Sequence, residues 1–134
     1  MKHGRTVLEA KRFGCHCCTS DAPLIDAVTK MVEHDISSLV VTDAEGYLAG
    51  IITRNDVIRG YLAHDDWQHV PVGDFMTRNV VTVSPDDLLG TVANLLVEHH
   101  IHRVVVVRNE KGRHKPLAVV SDTDLIYHMV RDID

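Results

Sequence analysis

The feature that most constrains the fold of this 134-residue chain is an internal repeat. Residues 32–36 read Val-Glu-His-Asp-Ile, and residues 97–101 read Val-Glu-His-His-Ile at an offset of 65 positions. The similarity extends on both sides of this segment, which indicates one supersecondary unit present twice. Each copy has about 55 residues, a length that seldom buries a sufficient core alone. The repeat therefore predicts two copies packed together as one module with pseudo-twofold symmetry.

The first helix of each copy has the pattern of an amphipathic helix, because apolar residues recur at positions i, i+3, i+4, i+7 and i+8. Before the second of these helices, Ser84 and Asp87 predict an N-cap with an acid three positions later. Short β-branched runs follow each helix and predict buried strands. The predicted apolar stripes are Leu24, Ala27, Val28, Met31 and Val32 in the first copy, and Leu89, Val92, Ala93, Leu96 and Val97 in the second.

Each copy has the predicted order strand, helix, strand, strand, helix, so the expected fold class is α+β with two β-α-β-β-α repeats. The first repeat covers residues 7–62 and the second covers residues 72–131. Residues 63–71 connect them, and the whole chain, 1–134, forms a single module. A longer turn at residues 113–116 distinguishes the second repeat, and such turns tolerate insertions.

Both repeats place a hydroxyl residue at the end of a strand and an acid three positions later. These pairs are Thr53 with Asp56 and Ser121 with Asp124. One interpretation is a capping box, which satisfies backbone N–H groups and contributes on the order of 1 kcal/mol. The other is a nucleotide site, since a helix N-terminus attracts phosphate and a carboxylate accepts hydrogen bonds from ribose hydroxyls. Taken alone, the motif favours the cap, because caps are far more common than sites.

The two pairs stand in a specific sequence context. The first repeat ends its third strand with Gly50-Ile51-Ile52-Thr53-x-x-Asp56, and the lead-in to the second repeat reads Phe75-Met76-Thr77-x-x-Val80-x-Thr82-Val83. This duplicated order resembles the tandem cystathionine-β-synthase (CBS) domain pair, or Bateman module, from residue 7 to residue 131. The resemblance implies a regulatory module without a required cofactor that binds AMP, ADP, ATP or an adenosyl ligand such as S-adenosylmethionine. It also implies two clefts between the repeats, a homodimer, and a partner protein that senses the bound state.

The resemblance assigns roles to individual residues. In the first repeat, Ser37 and Ser38 stand where the second repeat has a basic pair, and Ala118 stands where the family has a glycine. The implied contacts are Asp56 and Asp124 to ribose, Thr53 and Ser121 to phosphate, Thr82 to the base, and Arg54, His102 and Arg103 to phosphate.

These departures from symmetry predict two unequal sites. Around Asp56, the fixed charges of Arg54 and Arg103 would combine with the imidazole of His102 near a phosphate. The other cleft carries an extra acid, Asp122. The cleft with Asp56 is therefore expected to bind phosphorylated ligands more tightly.

A cluster of three cysteines around His16 allows a metal-binding interpretation, because thiolate and imidazole are zinc ligands. The spacing lacks the paired C-x-x-C pattern of structural zinc sites, so no metal ligand is assigned. In the repeat alignment Cys15, Cys17 and Cys18 replace small residues of a strand, which favours a packing role. A metal-binding sensor that also uses some of the ten histidines is a lesser alternative.

Composition and motifs argue against other functional classes. A formal net charge of -5 opposes a nucleic-acid interface. No apolar run reaches the roughly 18 residues that a membrane helix needs, and no signal segment is visible, so a cytoplasmic protein is expected. The chain has no nucleophile motif and no phosphate loop, so it is not expected to be an enzyme. The main alternative to ligand sensing is a structural dimerisation module with degenerate sites.

Overall fold

The computed structural model describes residues 4–10 and 14–131, and the chain separates into two compact units. One unit is Cys15–Val80. The other joins the described residues before Cys15 to those from Val81 onward. Each unit contains one three-stranded sheet and its helices, which confirms the expected α+β class. Within these described ranges, no helix is long and apolar enough to cross a membrane.

The described helices and strands follow the repeat. After a short N-terminal helix, the order β-α-β-β-α occurs twice, as predicted. The elements are α1 (Val7–Ala10), β1 (Cys17–Thr19), α2 (Leu24–His34), β2 (Ser38–Thr42), β3 (Leu48–Thr53), α3 (Arg54–Ala63), β4 (Thr82–Val83), α4 (Leu89–His99), β5 (Arg103–Glu110), β6 (Arg113–Ser121) and α5 (Asp122–Arg131), with single 3-10 turns at Trp67–His69 and Val72–Asp74.

The segment that leads into each repeat belongs to the compact unit of the other repeat. Helix α1 lies in the unit of the second repeat, and Val72–Asp74 lies in the unit of the first. Lys11 and Arg12, which continue the first lead-in in the sequence alignment, lie outside the described residues. The sequence-based repeat boundaries at 7–62 and 72–131 stay predictions.

In the unit Cys15–Val80, β2 is the central strand of the sheet. It pairs in parallel with β1 and antiparallel with β3, so Val40 lies in register with both Cys17 and Ile51. Helix α2 covers one face of this sheet, and its Leu24 is completely buried against the apolar strand residues. The predicted buried strands are confirmed, and their β-branched residues suit a pleated surface that is covered by a helix.

The second unit has the same sheet order, with β5 between β4 and β6. Its hairpin is longer, because the pairing of β5 with β6 runs from Arg103–Ser121 to Glu110–Arg113. Helix α1 packs onto this unit through Val7, whose side chain is completely buried. The Val7 amide donates to the Asp87 carbonyl at 2.9 Å, which fixes the lead-in by backbone pairing as well as by burial.

The predicted helix stripes are too wide, because only three of the five predicted positions are buried in each helix. Val32 and Val97, the last residues of the two stripes, are 77% and 75% exposed. Position i+8 lies about 80° around an α-helix from position i, so it turns away from the face that packs on the sheet. The buried stripe therefore consists of the positions i, i+3 and i+7 in both helices.

The predicted N-cap at Ser84 is wrong. Helix α4 begins five residues later, and its N-cap Leu88 makes no side-chain capping bond. The Ser84 amide donates to the Asp87 carboxylate at 2.7 Å, and the Asp86 amide donates to the Ser84 hydroxyl at 3.3 Å. The bond from the Ser84 amide to the acid resembles that of a capping box, but the hydroxyl accepts from the residue two positions on, so the segment closes as a turn and does not continue as a helix.

Gly50 shows why the lead-in to the second repeat can pair with β3. The Ile51 amide donates to the Thr77 carbonyl at 2.9 Å, and the Thr77 amide donates back at 2.8 Å. A Cβ on Gly50 would lie 2.7 Å from the Thr77 carbonyl oxygen. The absence of a side chain therefore permits this close backbone approach.

Candidate functional site

The N-terminus of α3 carries the first hydroxyl-acid pair. The Thr53 amide and hydroxyl both donate to Oδ2 of Asp56, at 2.9 and 3.0 Å, and the Asp56 amide donates back to the hydroxyl at 3.4 Å. This is a complete capping box, so the capping interpretation is confirmed for the first repeat. The carboxylate lies deep at the junction of β3 and α3, since Asp56 is only 3% exposed.

Asp56 has a further partner that the sequence analysis missed. Arg59, one helical turn along α3, forms an ion pair with Oδ1 of Asp56. The Thr77 hydroxyl also lies 3.5 Å from Oδ2. An Asp followed three positions later by an Arg on a helix is a recognisable pairing signal, so the contact could have been predicted. Both carboxylate oxygens of Asp56 thus accept hydrogen bonds within the unit.

Two arginines lie on α3 near its N-terminus, and each has a carboxylate beside it. Arg54 is the first residue of the helix, and its side chain is largely exposed, 3.9 Å from the carboxylate of Asp35. Arg59 adds a second guanidinium on the same helix. Together with the helix dipole, these side chains make this end of α3 favourable for an anion.

The N-terminus of α5 repeats the capping box with different surroundings. The Ser121 amide and hydroxyl donate to Oδ2 of Asp124 at 2.8 and 3.2 Å, and the Asp124 amide donates back at 3.2 Å. Asp124 is half-buried, in contrast to Asp56. The position that corresponds to Arg59 is Tyr127, which is exposed and lies 5.7 Å beneath the guanidinium of Arg131.

His102 and Arg103 lie beside this second box, within the same unit. Arg103 is in register with Ser121 across β5 and β6, and the Asp122 amide donates to the His102 carbonyl at 2.8 Å. Nδ1 of His102 lies 3.1 Å from the Asp122 carboxylate. The structure therefore brings His102, Arg103, Ser121 and Asp124 together at the start of α5. The assignment of the basic pair to phosphate stays a prediction.

Thr82 lies on β4, in register with Val105 of the central strand, and is half-buried. It lines an open surface pocket of about 420 Å³ in the second unit, together with Arg108 and His114 of the long hairpin. Val105, the register partner of Thr82, lies two positions after Arg103 on β5. The pocket extends away from Arg103, toward the end of β5 that contains Arg108. Its role at a base stays a prediction.

The cysteine cluster is divided between two environments. Cys18 is buried in the core beneath α2, and burial raises the pKa of its thiol to about 11. Cys15 and Cys17 are half-buried, and the ring of His16 stacks on His34 at 4.1 Å. Among the residues that the structure describes, no group of three or more His, Cys, Asp or Glu side chains is arranged to hold a metal ion.

A sequence model of the CBS domain matches residues 12–63 and 72–131 of the chain. The mitochondrial CBS domain-containing protein CBSX3 of Arabidopsis thaliana is 30% identical over 120 residues, which are 86% of this chain and 56% of that protein. Subunit gamma-3 of the 5'-AMP-activated protein kinase of Bos taurus is 29% identical over 117 residues, 81% of this chain and 23% of the subunit. The chain spans 26%, 56% and 48% of the first three curated relatives that it matches.

Solved structures show the same fold. The CBS domain pair of protein MJ0100, in complex with 5'-methylthioadenosine and S-adenosyl-L-methionine, has a TM-score of 0.80 with this chain. The two are 23% identical, and the match covers 96% of this chain and 98% of the other. At this level of identity, the comparison establishes the architecture of the two repeats.

Proposed function

Because the chain belongs to the CBS domain family, we propose that it is a regulatory module that binds an adenine-type ligand. The candidate ligands are AMP, ADP, ATP and S-adenosylmethionine. The observation that carries the proposal is the duplicated capping box at the N-termini of α3 and α5. Each helix start combines backbone N–H groups, a hydroxyl and a carboxylate, which are the groups that phosphate and ribose require.

Each residue has a proposed part in this binding. The carboxylates of Asp56 and Asp124 accept hydrogen bonds from ribose hydroxyls, and the hydroxyls of Thr53 and Ser121 lie on the phosphate side. Thr82 flanks the base. Arg54, His102 and Arg103 supply positive charge to a phosphate.

Two relatives support the choice of ligand class. The CBS domain pair of MJ0100 binds 5'-methylthioadenosine and S-adenosyl-L-methionine. The kinase to which the gamma-3 subunit belongs is named for its activation by 5'-AMP. These three compounds share the adenosine group, and they differ in whether a phosphate is present. We therefore propose a site that binds the adenosine group and accepts ligands with different substituents on it.

The charges near the two helices predict which substituent each one prefers. Arg54 and Arg59 on α3 favour a phosphate, so this site prefers AMP. On α5, Asp122 lies beside Asp124 and 3.1 Å from His102, so its carboxylate offsets the positive charge of the basic pair His102 and Arg103, and we propose that this site favours a neutral or cationic adenosyl ligand. The two copies would then sense different ligands with the same backbone motif.

The bound state would reach a partner through differential affinity, since a ligand that favours one arrangement of the module changes the surface that the partner binds. We further propose a homodimer. Exposed apolar side chains recur at equivalent positions of the two C-terminal helices, and a second copy would cover them. They are Ile58 and Leu62 on α3 and Ile126 and Val130 on α5.

A thermal-shift screen tests the ligand class. At about 100 times its dissociation constant, a ligand raises the free energy of unfolding by about 2.7 kcal/mol. AMP and 5'-methylthioadenosine are expected to raise the melting temperature of the wild type, and guanosine monophosphate is not. The double variant Asp56→Ala/Asp124→Ala should lose the response, while Glu33→Ala, which removes an exposed acid of α2, should keep it.

One observation favours the structural alternative, a dimerisation module with degenerate sites. Asp56 is almost completely buried, and Arg59 already occupies one of its oxygens. A ribose would have to displace this guanidinium. If no adenine ligand shifts the melting temperature while light scattering still reports a dimer, the structural alternative is correct.

A further inference from the structure

Two thiols lie in contact at the start of the sheet in the unit Cys15–Val80. The Sγ atoms of Cys15 and Cys17 are 3.4 Å apart. Cys17 begins strand β1, and Cys15 lies two positions before it, so a single residue, His16, separates the two cysteines. Both are half-buried, which leaves part of each residue accessible to a small reagent.

The distance between the two sulfur atoms is short enough for a bond to form after small side-chain rotations. A disulfide has an S–S length of about 2.05 Å, so the sulfurs would have to approach by about 1.4 Å. The separation of 3.4 Å means that the sulfurs already touch.

The third thiol of the cluster does not share this environment. Cys18 is 6% exposed, and its side chain projects to the opposite face, into the core with Leu24 and Ala27. Burial raises the pKa of this thiol to about 11, so little thiolate forms at neutral pH. Because the thiolate is the reactive form, Cys18 should be inert.

We propose that Cys15 and Cys17 are a reversible oxidation site, which hydrogen peroxide closes to an intramolecular disulfide and a dithiol reopens. One thiolate attacks the peroxide, the O–O bond breaks, and a sulfenic acid and hydroxide form. The second thiolate then attacks the sulfenic sulfur, and the S–O bond breaks with loss of a second hydroxide. The two thiol protons convert both hydroxides to water, and two electrons pass from the thiols to the peroxide.

The bond would act on the pairing of β1 with β2. His16 lies between the two cysteines, and its carbonyl accepts a hydrogen bond from the Val40 amide at 3.1 Å. Strand β1 has three residues and, among the residues that the structure describes, pairs with β2 alone, so a covalent constraint across His16 acts on one end of a short parallel ladder. Oxidation would thus alter the pairing of β1 with β2, the central strand of the sheet.

Mass spectrometry of the folded protein tests the site. Treatment with hydrogen peroxide should lower the mass of the protein by about 2 Da. Alkylation of the remaining thiols in denaturant should then modify one cysteine. Fragmentation of the peptide that carries all three cysteines should locate the alkyl group on Cys18 in the wild type, which needs no variant. Dithiothreitol should restore three alkylated thiols.

Variants provide the matched controls. Cys18→Ala should still form the disulfide, whereas Cys15→Ser and Cys17→Ser should not. Alkylation of Cys15 or Cys17 in the oxidised wild type would overturn the proposal. So would a product that is mainly an intermolecular disulfide, or one in which oxygen is added with no loss of hydrogen.

Discussion

The N-termini of α3 and α5 carry the same capping box but differ in the charges around it. Asp56 is almost completely buried and paired with Arg59, while Asp124 is half-buried and has Tyr127 at the corresponding position. The cap depends only on backbone geometry and two side chains, so it survives duplication. The flanking charges are free of that constraint, so the two copies differ in them, and the proposed difference in ligand preference rests on these charges.

The largest expected difference in stability between the two repeats comes from the residue at position 50 or 118, on the strand that precedes each capping box. Gly50→Ala would place a Cβ 2.7 Å from the Thr77 carbonyl oxygen, so it should destabilise the protein by about 3 kcal/mol. The second repeat has Ala118 at the equivalent position, where Ala118→Gly should cost about 1 kcal/mol. Urea unfolding of the two variants measures both values. Equal losses would mean that the close approach at Thr77 does not matter.

Removing the carboxylate of each capping box should destabilise the protein by different amounts in the two repeats. Asp56→Ala removes a buried acceptor of several hydrogen bonds and should cost about 2 kcal/mol, while Asp124→Ala should cost about 1 kcal/mol. Thermal unfolding without ligand gives this difference. A larger loss from the α5 variant would show that burial of Asp56 contributes no stability.

Arg59 should sharpen the difference in ligand preference. Arg59→Gln removes a guanidinium and releases an oxygen of Asp56, so the preference of the protein for AMP over 5'-methylthioadenosine should fall about tenfold. Because the guanidinium of Arg59 is about half exposed to solvent, its ion pair with the buried Asp56 should contribute on the order of 1 kcal/mol or less to folding. Tyr127→Gln at the equivalent position of α5 is the control, and it should leave the affinity for AMP unchanged. An unchanged preference in the Arg59 variant would exclude a charge effect on ligand choice.

The features that could be predicted from the sequence are those with a local cause. Helix α2 and the caps at Thr53 and Ser121 follow from apolar spacing and side-chain hydrogen bonds within four residues. The same local pattern at Ser84 predicted a cap wrongly, because a hydroxyl-acid pair can also close a turn, in which the hydroxyl accepts from the amide two positions on. Only the onset of the apolar stripe at Leu89 identifies the true helix start.

Long-range features were not accessible in this way. Helix α1 packs through Val7 onto the unit of the second repeat, although it precedes the first repeat in the chain. Both repeats offer similar apolar surfaces, so sequence alone does not decide which of them a short lead-in contacts. The burial of Asp56 could not be predicted for a similar reason, because it depends on the backbone pairing of Thr77 with β3, a long-range contact.

Isothermal titration of AMP tests most directly the claim that the two boxes serve unequal sites. Asp56→Ala and Asp124→Ala are each compared with the wild type, with Glu33→Ala as the control for loss of a surface acid. We predict that Asp56→Ala weakens AMP binding at least about tenfold more than Asp124→Ala does. Equal losses of AMP affinity from the two variants would contradict it.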